Sequence, residues 1–202
     1  CPSSTSWVAQ AVGAEGDVHL TGSFLSIAPT APDWDTVKYD ASGTELWSAH
    51  YDGPGGGLDA ATAIAVDTEG NVFVTGTGEE LPGSVTVKYD STGTELWAAR
   101  RRMELNYELG TTLAVDGAGN AYVAGSTKSS EDSFPVIGGP DLTHNGFSDG
   151  FVAKIVPGGN GLAFCGYIGG ADYDGCMGIA LDSAGNVYVS GDTNSNESSF
   201  PV

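Results

Sequence analysis

An acid recurs at one spacing in three places. Asp59 stands eight residues before Asp67, Glu108 eight before Asp116, and Asp174 eight before Asp182. Carboxylate oxygens converging from equivalent positions of a repeat suit Ca²⁺ or another hard cation, and Asp172 lies close enough to join them. The expectation is that Asp59, Glu108, Asp172 and Asp174 ring the mouth of a central channel. The competing expectation is that each acid serves its own repeat, by pairing with the recurrent Lys38, Lys88 or Lys154 or by capping a strand.

A second set of residues suits binding. Trp34, Tyr51, Tyr107 and Tyr173 carry aromatic faces of the kind that stack on carbohydrate, and Arg100, Arg101 and Arg102 form a basic run that suits a carboxylate or an anionic sugar. The same residues could instead pack a scaffold and offset local negative charge. No catalytic motif stands beside them. The sequence has no Gly-x-Ser-x-Gly elbow and no phosphate loop. His19, His50 and His144 show no metal-ligand spacing. Carboxylates are abundant enough to leave a hydrolase or lyase pair open, but none is singled out, so no catalytic residue is assigned.

Two alternating repeats position these groups. Ala63-Ile-Ala-Val-Asp-Thr-Glu-Gly-Asn-Val-Phe-Val-Thr-Gly76 returns at 112–125 and 178–191, with a degenerate copy at 13–22. Thr36-Val-Lys-Tyr-Asp-Ala-Ser-Gly-Thr-Glu-Leu-Trp47 returns at 86–97 and, more loosely, at 151–164. Each repeat reads as a hairpin, with β-branched and aromatic runs flanking an Asp-x-x-Gly turn. Two hairpins give four strands, a to d, and a run of such units reads as an all-β propeller of four-stranded antiparallel blades. The expected blades span about 5–50, 61–101 and 111–168, with a half blade at about 176–202, three and a half in all. The long, variable segments 23–34, 51–60, 77–83, 101–110, 126–149 and 169–175 should then gather on one face, where binding usually resides.

These motifs resemble the bacterial β-propeller repeat proteins, sometimes called seven-bladed propeller repeats. The resemblance rests on Asp-x-x-Gly-Asn-Val-Tyr-Val-x-Gly at 182–191, on Ser-Phe-Pro-Val at 133–136 and 199–202, and on 148–154 and 166–170. It implies a propeller, usually outside the cell, and no single activity. The segments ending at Trp47 and Trp97 are also similar to the tryptophan-docking motifs of quinoprotein propellers, which implies that each Trp packs between blades.

Composition limits the partners. Twenty-six acids against 7 bases give a formal charge of −19, which repels nucleic acid and anionic membranes. No apolar run approaches the length of a membrane helix. Cys165 and Cys176 flank a Gly-rich turn and are expected to form a disulfide, with two buried thiols as the alternative. Cys1 is left over, open to lipidation or to pairing with another chain. The half blade should expose strand edges, so the chain is expected either to be part of a larger propeller or to complete itself by assembly. The functional expectation is a non-catalytic extracellular or cell-surface module for protein–protein interaction, adhesion or self-assembly. The alternatives are a polysaccharide-acting enzyme and a calcium-dependent lectin.

Overall fold

The computed structural model describes residues 5–24, 33–54, 57–78, 83–100, 109–196 and 198–200. All regular structure there is β. The first sheet holds β1 (Thr5–Val12), β2 (Val18–Phe24), β3 (Asp33–Tyr39) and β4 (Glu45–Tyr51) in that order. The second holds β5 (Asp59–Val66), β6 (Val72–Gly78), β7 (Ser84–Tyr89) and β8 (Glu95–Arg100). The third holds β9 (Leu109–Val115), β10 (Ala121–Thr127), β11 (Asp149–Ile155) and β12 (Leu162–Ile168). β13 (Asp174–Leu181) and β14 (Val187–Thr193) form a two-stranded sheet. Every ladder between these strands is antiparallel and joins sequence neighbours, so each sheet is a meander. These are propeller blades, as the repeats predict.

Local chemistry makes the tight turns. Asp67, Asp116 and Asp182 each accept the main-chain N–H four residues on, at 2.9, 2.9 and 2.8 Å, and each Asn side chain there returns to the same carboxylate. Asp40 and Asp90 do the same for the c–d turns through Thr44 and Thr94. The recurrent lysines lie across the blade from these turns and bond them: Lys38 to Asp17 at 2.7 Å, Lys88 to Asp67 at 3.8 Å and Lys154 to Asp116 at 3.4 Å. Lys88 and Lys154 also sit 4.7 Å from the centres of the Phe73 and Tyr122 rings. The lysines therefore hold the a–b turns, and do not pair with Asp59 or Asp174.

The core lies between blades. One cluster joins Trp34 and Tyr51 of the first blade to Val72, Val74, Val85, Val87 and Tyr89 of the second. Another joins Phe73 and Ala99 of the second to Val123, Phe151 and Tyr167 of the third. A bulge recurs in the first strand of every sheet or in the ladder beside it, at Trp7/Ala9, Ala61/Ala63, Ala124/Gly125 and Cys176/Gly178. Bulges increase local twist, which suits strands crowded toward a common axis.

The tryptophans dock as the motif implies. Trp47 Nε1 donates to the Ser91 carbonyl at 3.0 Å, and Trp97 Nε1 to that of Pro157 at 2.9 Å. Each ring lies on the c–d turn of the next blade, where a Cβ on Gly93 or Gly159 would approach it to 2.7 or 2.4 Å. Both glycines also have positive φ, 87° and 71°, so two separate constraints exclude larger residues there.

The segment 128–148 covers the outer edge of the third blade. Ile137 exchanges both main-chain bonds with Cys165, and Asp141 with Tyr167. This satisfies groups that an exposed edge strand would leave open. Phe134, from Ser-Phe-Pro-Val, is buried and stacks on Tyr167 with ring centres 4.7 Å apart.

Cys165 and Cys176 remain thiols, so the expected disulfide is corrected. Cys176 Sγ lies against Gly150, which pairs with Ile168, whereas Cys165 pairs with Ala153 three residues along β11. Three residues of strand span about 10 Å, too far for the Cβ separation a disulfide requires. Both side chains are buried, and burial pushes the Cys176 thiol up to about 11. Cys1 lies outside the described residues.

Candidate functional site

Antiparallel meanders place the a–b and c–d turns at one end of the blades and the b–c and d–a connections at the other. Asp33, Asp59, Asp149 and Asp174 begin β3, β5, β11 and β13, so all four stand at the second end. Each is at most 4% exposed. They group across blade boundaries: Asp33 of the first blade with Asp59 of the second, and Asp149 of the third with Asp174 of the next sheet.

The first boundary is the more acidic. One carboxylate oxygen from each of Asp33, Asp52 and Asp59 lies within 4.8 Å of the others. Gly53 N–H donates to Asp59 Oδ2 at 2.6 Å. His50 reaches Asp35 Oδ1 through Nδ1 at 2.8 Å and Asp33 Oδ2 through Nε2 at 3.1 Å. Burial raises the Asp33 carboxyl above the ordinary range, Asp52 adds to the rise, and His50 works against it. Burial also raises Asp59; the Gly53 N–H opposes this, Asp33 and Asp52 reinforce it, and Arg100 opposes it. For His50 burial pulls downward, but Asp35 and Asp33 outweigh it and the net shift is upward.

The other boundary shares the plan with different partners. Gly170 N–H donates to Asp174 Oδ2 at 2.6 Å, as Gly53 does to Asp59. Thr193 and Ser195 hydroxyls also bond Asp174, the latter at 2.8 Å. Asn145 N–H donates to Asp149 Oδ2 at 2.8 Å. Burial raises Asp149; Asn145 and His144 oppose this, and Asp174 adds to it.

Asp59 and Asp174, two of the acids expected to ring a channel mouth, are buried at blade boundaries, each near the acid that begins a strand of the adjacent blade. Asp172 is exposed and accepts the N–H of Tyr173, while its own N–H donates to Ser195 Oγ. Glu108 lies outside the described residues. The spacing found Asp59 and Asp174 but missed Asp33 and Asp149. Their signal is present in the sequence, five residues before the recurrent lysine, where the middle copy has Gly83.

The aromatic set divides. Trp34 is fully buried and stacks on Tyr51, itself 3% exposed, with ring centres 4.4 Å apart. Both belong to the core between the first two blades and offer no face to a ligand. Arg100 donates through Nε to the Tyr51 hydroxyl at 2.9 Å, tying the end of β8 to the first blade. Tyr173 is 45% exposed beside Phe147, 58% exposed, with ring centres 4.6 Å apart. Lys128 Nζ lies 4.6 Å from the Phe147 ring centre and 5.6 Å from that of Tyr173. Lys128 and Tyr173 line a cleft of about 300 Å³ together with Met177 and Asp192. Arg101, Arg102 and Tyr107 lie outside the described residues.

Fold and site together define a β-propeller domain whose loop end carries buried acids at blade boundaries. The model of the beta-propeller repeat family (SBBP) matches residues 106–131 and 167–197. No curated protein matches the chain. No helix among the described residues is long and apolar enough to cross a membrane.

Proposed function

We propose that this propeller is a non-catalytic extracellular module that binds other protein chains through its loop end. One observation carries the reading: Phe147 and Tyr173 stay largely exposed on that end, beside Lys128, although the blades bury Trp34, Tyr51, Phe73, Tyr89, Phe151 and Tyr167. Exposed aromatics beside a cleft, framed by a cation and Asp192, have the composition of a protein-binding patch. The opposite end is occupied by turn and docking contacts that the blades themselves need. A formal charge of −19 supports solubility outside the cell and partners other than nucleic acid. The position of Lys128 over both rings disfavours sugar stacking there.

The test is attachment to intact cells of the encoding organism, measured with fluorescently labelled chain. Wild type should bind saturably, binding should vanish after the cells are treated with protease, and Phe147→Ser with Tyr173→Ser should weaken it about tenfold or more. Equal binding by wild type and double variant would contradict the proposal, as would protease-resistant binding.

A further inference from the structure

We propose that Asp33, Asp52 and Asp59 form a calcium site at the boundary between the first and second blades. Their oxygens fall within 4.8 Å of one another, a span that two ligands facing each other across one calcium ion would make at about 2.4 Å each. Asp33 supplies an independent sign. Its Oδ2 is held by His50, but its Oδ1 is buried and has no hydrogen-bond partner among the described residues. A buried carboxylate oxygen left in that state is costly, and a cation removes the cost.

The other boundary satisfies Asp174 differently, while Asp149 Oδ1 there is, like Asp33 Oδ1, buried with no hydrogen-bond partner among the described residues. Asp174 faces Thr193 across the β13–β14 ladder, and Thr193 and Ser195 hydroxyls bond its carboxylate. Asp59 faces Gly78 across the equivalent β5–β6 ladder. A Cβ on Gly78 would lie 2.8 Å from Asp59 Oδ1, so the space beside that oxygen admits no side chain without movement. The first boundary has instead gained a third acid, Asp52, which is exposed and gives an ion access from solvent. The nearby basic side chains are His50, bonded to Asp33 and Asp35, and Arg100, bonded to Tyr51 and felt by Asp59. With Asp35 included, four carboxylates meet two basic side chains. Water and main-chain carbonyls would complete the six to eight oxygens calcium takes.

The site stands whether or not the Phe147–Tyr173 surface binds a partner, because its test uses calcium alone. Thermal melts in CaCl₂ are compared with melts in NaCl of equal ionic strength, after treatment with EDTA. Calcium at about ten times its dissociation constant should raise the wild-type Tm by roughly 3 to 6 °C. Asp52→Asn, a change at an exposed position, should abolish the rise while leaving the calcium-free melt nearly unchanged. Asp172→Asn, at the other boundary, should keep it. Tb³⁺ emission sensitised through the Trp34–Tyr51 stack gives a second readout, displaced by calcium and weakened about tenfold or more in Asp52→Asn. An unchanged wild-type Tm, or a rise that survives Asp52→Asn, overturns the site.

Discussion

Asp116 shows how much a single acid can organise. Its carboxylate accepts Asn120 N–H and the Asn120 side chain, Ala118 N–H and the Tyr122 hydroxyl, while Lys154 stands 3.4 Å away. Burial alone would raise its pKa, but the Asn120, Tyr122 and Ala118 donors outweigh burial and bring it to about 2. A folded-state pKa below the unfolded value stabilises the protein above about pH 4, and that contribution is lost as pH falls toward 2. Asp116→Ala should lower unfolding stability by roughly 1–3 kcal/mol at neutral pH and flatten this acid limb, as read from urea unfolding at several pH values. The cysteines make a second prediction at this scale. Alkylation after denaturation without reductant, followed by peptide mapping, should label both Cys165 and Cys176. A linked 165–176 peptide would contradict their placement.

At the scale of elements, the blade joint is a tryptophan on a glycine turn. Trp97→Ala removes both ring packing and the bond to Pro157 and should cost about 3 kcal/mol or more. Trp97→Phe keeps most of the packing and should cost nearer 1 kcal/mol. Both are measured by denaturant midpoint at constant slope. This joint was half legible in the sequence. The Trp-ending motif pointed to packing between blades, but Gly93 and Gly159 as its seats emerge only when consecutive blades are superposed in space. Strands and tight turns were legible because Asp-x-x-Gly chemistry is local, closing within four residues. The site was less so. Asp33 and Asp59 are separated by 26 residues and meet only because β5 packs against the first blade, and no repeat spacing encodes that approach. Trp34 and Tyr51 misled for a related reason: they flank connections, where aromatics suggest binding, yet the next blade covers both. The 165–176 spacing misled because strand register, not distance along the chain, sets which thiols can meet.

For the molecule as a whole, charge is distributed by position in the blade. Acids at the tight turns accept several N–H and hydroxyl donors, whereas Asp33, Asp52 and Asp59 at the first boundary lie against one another. With a formal charge of −19, the folded chain also repels itself. Added NaCl should therefore raise the Tm at neutral pH by screening, and a Tm that falls between low and moderate salt would count against this balance. Asp33, Asp59 and Asp149 at the boundaries oppose Asp40, Asp90, Asp116 and Asp182 at the turns in sign. A carboxyl with a raised folded-state pKa contributes stability at low pH that is lost as pH rises through that pKa.

Carbon-13 NMR titration of the aspartate carboxyls, with calcium absent, measures that division directly. Asp40, Asp90, Asp116 and Asp182 at the turns should titrate below the ordinary aspartate range, with Asp116 near 2, and Asp149 at a blade boundary should titrate above it. A single undivided range, or Asp149 among the low group, would contradict the arrangement of blades from which every contact above follows.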